Sequence, residues 1–411
     1  MTRLLLLMPT HTYRAEPFLS AAQRLGVDVT VGTELEQPLA RLVPGATVAL
    51  DFARPELARQ QVVEFARAFP LAAVVGVDDE TTVLAALAAA ALGLPHNSVE
   101  SVMAARYKDV MRLALAETSL PTPRFKLIGV DQDPETIARQ AVYPCVIKPL
   151  SLSASRGVIR VDTPEALVAA FHEVVAIVGD AALAPDDPAA RLLLIEEFIP
   201  GREFALEGLL RDGVLSPLAL FDKPDPLDGP YFEETIYVTP SRLPGSDQTT
   251  IVECAAAAAQ ALGLRDGPVH AEVRLNERGA YLVEIAARSL GGLCSRTLRF
   301  GAGVSLEDII LRHAAGLPMA SLERESRPAG VMMIPIPRGG ILREVQGERE
   351  AAAVPGVDGV TISIPCGQRL VPLPRGDRYL GFIFAHGPTP AGVESALREA
   401  HRRLRFTIDD V

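Results

Sequence analysis

Two glutamates on a predicted hairpin are the first candidates for chemistry. The segment VHAEVRLNERGAYLVEIAAR has two runs with β-strand alternation around a turn, ERG, at 277–279. A three-residue loop that ends in glycine pairs Asn276 with Ala280. Counting back along both strands, the same register pairs Glu272 with Glu284. Carboxylates directly opposite each other destabilise a sheet by up to about 1 kcal/mol.

A cation between Glu272 and Glu284 would remove this repulsion. Mg²⁺, or Mn²⁺ in its place, suits such oxygen ligands, because Mg²⁺ usually takes one or two carboxylates together with substrate phosphates. Arg288 follows Glu284 by four residues and can reach the same site. The alternative is a pair of surface glutamates on a solvated hairpin face.

A second segment, CVIKPLSLSASRGVIRV, has the features of a phosphate-binding hairpin. Lys148 lies on an apolar strand, and a loop of small hydroxyl residues, 151–156, follows it and ends at Gly157. Backbone N–H groups of such a loop can contact phosphate oxygens, while the lysine adds a mobile point charge. An ordinary solvated hairpin is the alternative. Walker A and GxGxxG loops are excluded, since no lysine follows a glycine and no GxGxxG occurs.

Two more carboxylates, Glu196 and Glu197, end the apolar strand in LLLIEEFIPGREFALEGLL. Carboxylates at the end of a buried strand need donors, which an adenine amino group or ribose hydroxyls would supply. Taken alone, a charged strand end that meets water is the more ordinary interpretation.

In this order the segments resemble the ATP-grasp superfamily over roughly residues 100–300. The matches are Lys108 in RYKDVMR, Lys148 in VIKP with the SxSRGV loop, EEFIPGRE, and the set of Glu272, Glu284 and Arg288. The resemblance implies ATP as co-substrate and a role for each matched residue. The nucleotide phosphates would be contacted by Lys108 and Lys148, together with the loop of Ser153, Ser155 and Gly157. Adenine would be held by Glu196, Glu197, Phe198 and Ile199, and ribose by Glu203. Mg²⁺ would be bound by Glu272 and Glu284, and Arg288 would stabilise the transferred phosphate and the tetrahedral intermediate.

One position departs from the superfamily pattern. Asparagine commonly stands two residues after the second glutamate, but this chain has Ala286, which removes an oxygen ligand and leaves open whether one or two Mg²⁺ ions bind. The form EIAAR and His270 before Glu272 resemble bacterial L-amino acid ligases, as does the C-terminal region. The resemblance places His270 with Lys148 and Arg288 among the catalytic residues, where it would orient a substrate amine or carboxylate.

The activity implied is ATP-dependent joining of a small carboxylate to an amine. ATP would phosphorylate the carboxylate, and the amine would then attack the acylphosphate to give an amide. The expected partners are small-molecule carboxylates and amines, and the resemblance implies two amino acids, or an amino acid and a small carboxylate. One alternative is an ATP-grasp carboxylase acting through carboxyphosphate, and another is an ATP-binding module without turnover.

Lysine is rare in this chain, with four among 40 basic residues. The rarity is typical of a genome-wide codon bias, but each retained lysine marks a position where a compact charge can be needed. Lys126, on a strand after the PTP break at 121–123, is the expected bystander. Lys223 lies in a long polar loop, 222–245, and is either a cover for the acceptor substrate or an ordinary solvated charge.

These residues require several domains to position them. We predict an α/β and α+β multidomain fold: an N-terminal parallel α/β domain (1–97), a linker helix (98–120), a lid (121–195), a core (196–324) and a C-terminal α+β cap (325–411). His11, in the turn after the first strand, is a lesser candidate for ligand contact, because open α/β sheets bind at strand C-termini. The strand pattern predicts hairpins at 330–335, 359–364 and 381–385, and the helical pattern a final helix at 389–404.

Composition excludes other classes. The net charge of −11, with basic residues scattered singly, argues against nucleic acid or an anionic membrane as partner. The longest apolar stretch is too short to span a bilayer and the N-terminus has no signal-peptide pattern, so a cytoplasmic protein is expected. The four cysteines are widely spaced, which favours ordinary buried thiols over zinc or disulfides. The oligomeric state stays open, with a homodimer as one option.

Overall fold

A computed structural model describes residues 2–37, 42–181, 183, 187–301, 303–319 and 321–410. The strands form one parallel sheet of four strands and three antiparallel sheets of four, eight and three strands. This mixed architecture confirms the predicted α/β and α+β fold class. No helix among the described residues has the length and apolar character needed to cross a membrane.

The N-terminal sheet has the strand order β3-β2-β1-β4 and is covered on both faces. Leu4 and Leu6 of β1 pack toward helix α1 and the core sheet, whereas Leu5 and Leu7 pack under α2 and α3. A parallel strand that is buried on both faces explains the unbroken apolar run LLLL. The elements are β1 (Arg3–Leu7), α1 (Ala15–Leu25), β2 (Asp28–Thr33), β3 (Thr47–Ala49), α2 (Pro55–Ala68), β4 (Ala73–Gly76) and α3 (Asp79–Leu92).

The predicted linker helix is in fact two helices, α4 (Val99–Arg106) and α5 (Lys108–Ala116). Tyr107 between them is extended, with φ −102° and ψ 118°. The backbone N–H of Lys108 donates to the carbonyl of Leu150, 3.0 Å away, so the start of α5 is tied to the loop that follows strand β6 (Cys145–Pro149). This break places Lys108 on the first turn of a helix instead of in its middle.

The lid is an antiparallel sheet with the order β5-β8-β6-β7, backed by two helices. Its apolar strands β6 and β8 lie in the centre, which explains why their ends carry buried charges. The segment 180–190 contains a 3₁₀ turn (Pro188–Ala190), and residues 182 and 184–186 of it lie outside the described residues. The elements are β5 (Phe125–Gly129), α6 (Pro134–Gln140), β6 (Cys145–Pro149), β7 (Ile159–Val161), α7 (Pro164–Asp180) and β8 (Leu192–Glu197).

The eight-stranded sheet has the order β13-β12-β9-β10-β11-β14-β18-β16. It crosses the predicted core–cap boundary, because β11 pairs directly with β14. Its elements are β9 (Arg202–Arg211), β10 (Val214–Asp222), β11 (Ile236–Thr239), α8 (Gly245–Ala261), β12 (Gly267–Asn276), β13 (Gly279–Ala286), a 3₁₀ turn (Cys294–Thr297), α9 (Leu306–Ala314), β14 (Ala329–Ile334), β16 (Val357–Ile362) and β18 (Gly381–His386).

The three hairpins predicted in the cap are wrong as hairpins, although strands do form there. β14, β18 and β16 pair through long connections and extend the core sheet instead. The predicted final helix is confirmed, and Thr389 caps it by accepting from the N–H of Gly392. The remaining cap elements are β15 (Gly340–Gln346), α10 (Glu348–Ala352), β17 (Arg369–Leu370), α11 (Pro390–Arg403) and β19 (Arg405–Asp409).

Candidate active site

A cavity of about 530 Å³ lies where the lid, the core, the N-terminal domain and the cap meet. Each of these four regions contributes polar side chains to its wall. Most of the predicted site residues line it, whereas Gly157 and Lys223 are absent from its wall. The predicted residues that line it are Lys108, Lys148, Ser153, Ser155, Glu196, Glu197, Phe198, Ile199, Glu203, His270, Glu272, Glu284, Arg288 and His11.

The facing glutamates are confirmed, although the turn that joins their strands is not the predicted one. Asn276 pairs with Gly279, so the loop has two residues and the register starts one residue off. A β-bulge at Val283 inserts one extra residue on β13 and restores the predicted pairing of Glu272 with Glu284. Bulges re-aim side chains beside active sites, and this one brings the second carboxylate to the cavity.

Lys108 lies beside the second of these glutamates. Its Nζ is 3.5 Å from Oε2 of Glu284 and donates to the carbonyl of Leu152, 3.0 Å away. The Lys108 side chain is only 6% exposed. A buried cation is therefore already held between the metal-ligand candidates and the lid loop.

Lys148 belongs to a buried ion triad that the sequence did not reveal. Its Nζ contacts Oε1 of Glu196, and Arg112 donates from Nε to Oε2 of the same carboxylate at 2.9 Å. Burial raises the pKa of Glu196, but the charges of Arg112 and Lys148 outweigh it and lower the pKa to about 2. Burial lowers the pKa of Lys148, and Glu196 opposes this.

This triad corrects the interpretation of Glu196 as a charged strand end that meets water. Its carboxylate is buried, and Arg112 and Lys148 donate to it. Arg112 was missed although it stands in the RYKDVMR motif, one helical turn after Lys108. It also donates to the carbonyl of Val283 at 2.8 Å, which fixes the bulge of the hairpin.

The hinge that follows β8 is held by backbone bonds of the lid. The N–H of Glu197 donates to the carbonyl of Arg124 at 2.8 Å, and the N–H of Phe198 donates to that of Pro144 at 3.1 Å. The Phe198 ring lies 4.1 Å and 4.9 Å from the guanidinium carbons of Arg160 and Arg274. The hinge thus presents an apolar ring and a partly exposed Glu197 carboxylate to the cavity.

The lid loop keeps Ser153 and Ser155 on the cavity wall, but Gly157 is turned away from it. The N–H of Gly157 donates to the carbonyl of Pro374 in the cap at 2.8 Å. Its φ of +74° and the Pro149 ring 3.1 Å from any added Cβ explain the glycine. The prediction that Gly157 contacts the nucleotide is therefore wrong for its backbone N–H in this structure, which joins lid to cap.

Glu203 and Lys223 form a buried cluster with two further carboxylates. The Nζ of Lys223 is 2.7 Å from Glu203, contacts Glu234, and is 3.4 Å from Glu272. Nε of Arg274 donates to Glu203 at 2.9 Å. Lys223 was predicted either to cover the acceptor substrate or to be a solvated charge, and both predictions are wrong. Its side chain is 3% exposed, does not line the cavity, and neutralises carboxylates that do.

The charge balance of this cluster is uneven. Burial would lower the pKa of Lys223, but Glu203 and Glu234 hold it well above its usual range. Burial raises the pKa of Glu234 to about 7, and the charge of Glu272 adds to the effect. Oxygen atoms of Glu203, Glu234 and Glu272 lie within 4.8 Å of one another, and the Lys223 ammonium lies within 3.4 Å of all three carboxylates.

His270 lies between two carboxylates. Its Nδ1 is 3.3 Å from Glu207 and its Nε2 is 3.7 Å from Glu272. Burial would lower the pKa of His270, but the hydrogen bond with Glu207 and the nearby Glu272 carboxylate raise it to about 9. The imidazole is therefore cationic at neutral pH and can donate to an anion in the cavity.

Arg288 joins the core to the N-terminal domain. Its guanidinium donates to Oδ2 of Asp79, at the start of α3, at 2.6 Å. Burial would raise the pKa of Asp79, but the charges of Arg288 and Arg106 lower it to about 2. Asp79 was missed because only tertiary packing brings residues 209 positions apart together. His11 lies on the same wall, mostly exposed, 3.7 Å from Glu80.

The cysteine prediction holds for three of the four thiols. Cys145, Cys254 and Cys294 are buried, whereas Cys366 is exposed. Cys294 lies on the cavity wall. Burial raises the pKa of its thiol, so the thiolate is disfavoured.

Three family models match the chain. One described as "ATP-grasp domain" matches residues 141–297, which include the lid loop, the hinge and the facing glutamates. Another, "ATP-grasp N-terminal domain", matches residues 19–96. The third, "L-amino acid ligase C-terminal domain 2", matches residues 332–409.

Similar proteins include ligases of known activity. An alanine–anticapsin ligase from Bacillus subtilis is 27% identical over 284 residues, which are 65% of this chain and 60% of that protein. The matched region thus spans less than two thirds of that relative. The crystal structure of an L-amino acid ligase from Bacillus licheniformis superposes with a TM-score of 0.81 at 26% identity, covering 100% of this chain and 99% of that one. A carboxyaminoimidazole ribonucleotide synthase from Aspergillus clavatus, complexed with ATP, shares the fold with a TM-score of 0.74 at 19% identity, over 98% and 99% of the two chains.

Proposed function

The chain belongs to the ATP-grasp superfamily, and on that premise we propose that it is an ATP-dependent carboxylate–amine ligase that joins amino acids through an acylphosphate. The observation that carries the proposal is the meeting of Arg288, the facing glutamates and two buried lysines in one cavity. Simple ATP binding needs phosphate and adenine contacts but no arginine on the far wall, so Arg288 supports turnover.

The nucleotide would bind between the lid and the core. Lys108 and Lys148 would contact its phosphates with the loop of Ser153 and Ser155, and the hinge from Glu196 to Ile199 would hold adenine. Because Glu196 is bound by Lys148 and Arg112, it would position Lys148 within this hinge, and the residues that follow it would contact adenine. Positioning and charge stabilisation are the main contributions that proteins make to phosphoryl transfer.

Magnesium fits the carboxylates of this site. Glu272 and Glu284 face each other, are 22% and 32% exposed, and offer hard oxygen donors to the cavity. These two residues would hold Mg²⁺, which would supply charge neutralisation for the phosphate oxygens. Ala286 lies in β13 where a further oxygen ligand is common, so the chain offers fewer protein ligands for a second ion.

The reaction would begin when a carboxylate oxygen of the donor attacks the γ-phosphorus and ADP leaves. Arg288 would stabilise the transferred phosphoryl group, with Asp79 holding its guanidinium in place. The neutral amine of the acceptor would then attack the carbonyl carbon, form the C–N bond, release phosphate and lose a proton. His270, cationic between Glu207 and Glu272, would donate to the substrate carboxylate and orient it.

The lid would exclude water from the acylphosphate. Its loop is joined to the cap by the bond from Gly157 to Pro374, so the cavity is enclosed on that side. Exclusion of water protects a reactive acyl intermediate from hydrolysis.

The test is phosphate release with Mg²⁺ and ATP over amino acids taken pairwise. We expect release that requires two amino acids, together with one equivalent of dipeptide. Release stimulated by bicarbonate, without any response to amino acids, would assign the chain to carboxylases instead. Tight ATP binding, with no ADP formed on a broad panel of carboxylates and amines, would indicate that the protein is an ATP-binding module without turnover.

A further inference from the structure

The cap supplies a charged residue to the cavity that neither the motifs nor the proposed phosphoryl transfer uses. Arg378 lines the cavity and also a small recess beside it, and its side chain is exposed. Among the residues that the structure describes, Arg378 has no hydrogen-bond or ion-pair partner.

Every other lysine or arginine on the cavity wall is already engaged by a carboxylate. These side chains are held before any ligand arrives, so their charges are largely balanced within the protein. The pairs are Lys108 with Glu284, Arg112 and Lys148 with Glu196, Arg274 with Glu203, and Arg288 with Asp79.

The loop that carries Arg378 is fixed although the guanidinium is free. Arg375 donates from Nε and Nη2 to the two carboxylate oxygens of Glu173 on the lid, at 2.7 and 2.8 Å. The carbonyl of Pro374 accepts from Gly157, and the carbonyl of Tyr379 accepts from Ser363 Oγ at 2.7 Å. A fixed loop with a free cation is suited to ligand binding, because little order is lost when the ligand arrives.

We infer that Arg378 binds the carboxylate of the acceptor, so that the acceptor is a free amino acid and not a simple amine; this inference rests on the proposed ligase function. A planar guanidinium matches a carboxylate in two parallel hydrogen bonds. Glu234 lines the same recess from the loop between β10 and β11. The recess thus combines a guanidinium with a carboxyl group, and these two groups match the carboxylate and the amino group of a free amino acid.

The acceptor is the substrate that needs such a cation. The donor carboxylate must lie beside the facing glutamates and Arg288, where it is phosphorylated and then consumed. The carboxylate of the acceptor keeps its charge throughout the reaction and persists in the product. Its own binding group therefore belongs on a different wall. Arg378 lies on the wall formed by the cap, in a recess that Ala154 of the lid loop also lines.

The experiment compares two acceptors in three enzymes. With ATP and donor saturating, kcat/KM is measured for the most active acceptor amino acid of the pairwise screen and for its α-carboxamide. The wild-type enzyme should prefer the free acid at least tenfold. In Arg378→Ala the preference should fall to about twofold or less through loss on the free acid alone, and Arg378→Lys should recover part of it.

Arg343→Ala is the matched control, because it removes an exposed arginine of the cap that pairs with Asp409 and is not among the residues lining the cavity. It should keep the wild-type preference even if its overall rate changes. An unchanged preference in Arg378→Ala, a wild-type enzyme indifferent to the carboxamide, or a rise in the KM for ATP in place of the acceptor would overturn the inference alone. Absence of any amide product from the wild-type enzyme would overturn the ligase proposal and this inference with it.

Discussion

The two ends of the cavity differ in how their charges are balanced. At the end where we propose that the nucleotide binds, the nucleotide end, Lys148, Arg112 and Glu196 form a buried triad on the lid strands and helix α5. At the proposed acceptor end, Arg378 projects from a cap loop without a partner in the described chain. A set of charges that is balanced within the protein suits ATP, which is the same in every turnover. A free arginine on a loop suits the acceptor, whose recognition then depends on that loop.

The largest expected effect is on stability at the nucleotide end. Arg112→Met leaves the Glu196 carboxylate with one partner in a buried site, and breaking a buried ion pair costs about 3–5 kcal/mol. We expect the free energy of unfolding in urea to fall by about that amount. Arg124→Met is the control, since the exposed pair of Arg124 with Glu197 contributes at most about 1 kcal/mol. Equal losses of unfolding free energy in the two variants would show that the buried triad stabilises the protein no more than the exposed ion pair does.

A similar effect on rate is expected at the metal-ligand candidates. Glu284→Gln should lower turnover by a hundredfold or more, about 3 kcal/mol, while the fold survives. The reason is that a neutral amide binds Mg²⁺ weakly and no longer pairs with Lys108. Steady-state phosphate release measures the effect, and Glu277→Gln, in the exposed turn of the same hairpin, should be unchanged. Wild-type turnover in Glu284→Gln would refute the metal assignment.

A smaller effect distinguishes charge from shape at Lys148. Lys148→Arg keeps the charge but brings a larger, planar group into a site where the lysine is 4% exposed. We expect kcat/KM for ATP to fall about tenfold, or about 1.4 kcal/mol. Lys126→Arg is the control, because Lys126 is exposed on the lid and donates to Gln140 at 2.8 Å. Unaffected ATP use in Lys148→Arg would show that lysine is retained there by composition alone.

The smallest effect is expected on the wall formed by the N-terminal domain. Asp79→Asn removes the negative charge that holds Arg288, so kcat should fall several-fold while the KM for ATP changes little. Asp28→Asn, at a surface ion pair of the same domain, should alter neither. A change confined to the KM for ATP would place Arg288 at the nucleotide end and weaken the contrast between the two ends.

Sequence patterns were sufficient where the signal is local. The alternation of the hairpin predicted that Glu272 faces Glu284, and this pairing is present. The predicted three-residue turn is not, because the turn is one residue shorter and the bulge at Val283 compensates for the difference. A bulge is set by what packs on the strand, here the bond from Arg112 to the Val283 carbonyl, so periodicity alone does not reveal it.

Tertiary partners were beyond the reach of the sequence. Glu196 was expected to meet a nucleotide or water, but a helix 84 residues earlier supplies its partner. The polar loop around Lys223 favoured a solvated charge, whereas the lysine is buried and paired with three carboxylates. Arg378 carries no motif, and only the return of the cap to the lid brings it to the cavity.

The ligase reaction that we propose depends on activation of the donor carboxylate by phosphorylation. A donor amino acid labelled with ¹⁸O in its carboxylate reveals this step, when the released phosphate is analysed by mass spectrometry under conditions that give product. We expect one ¹⁸O atom in each phosphate, since the oxygen that attacks the γ-phosphorus leaves with it. Unlabelled phosphate from a reaction that forms the amide would contradict it.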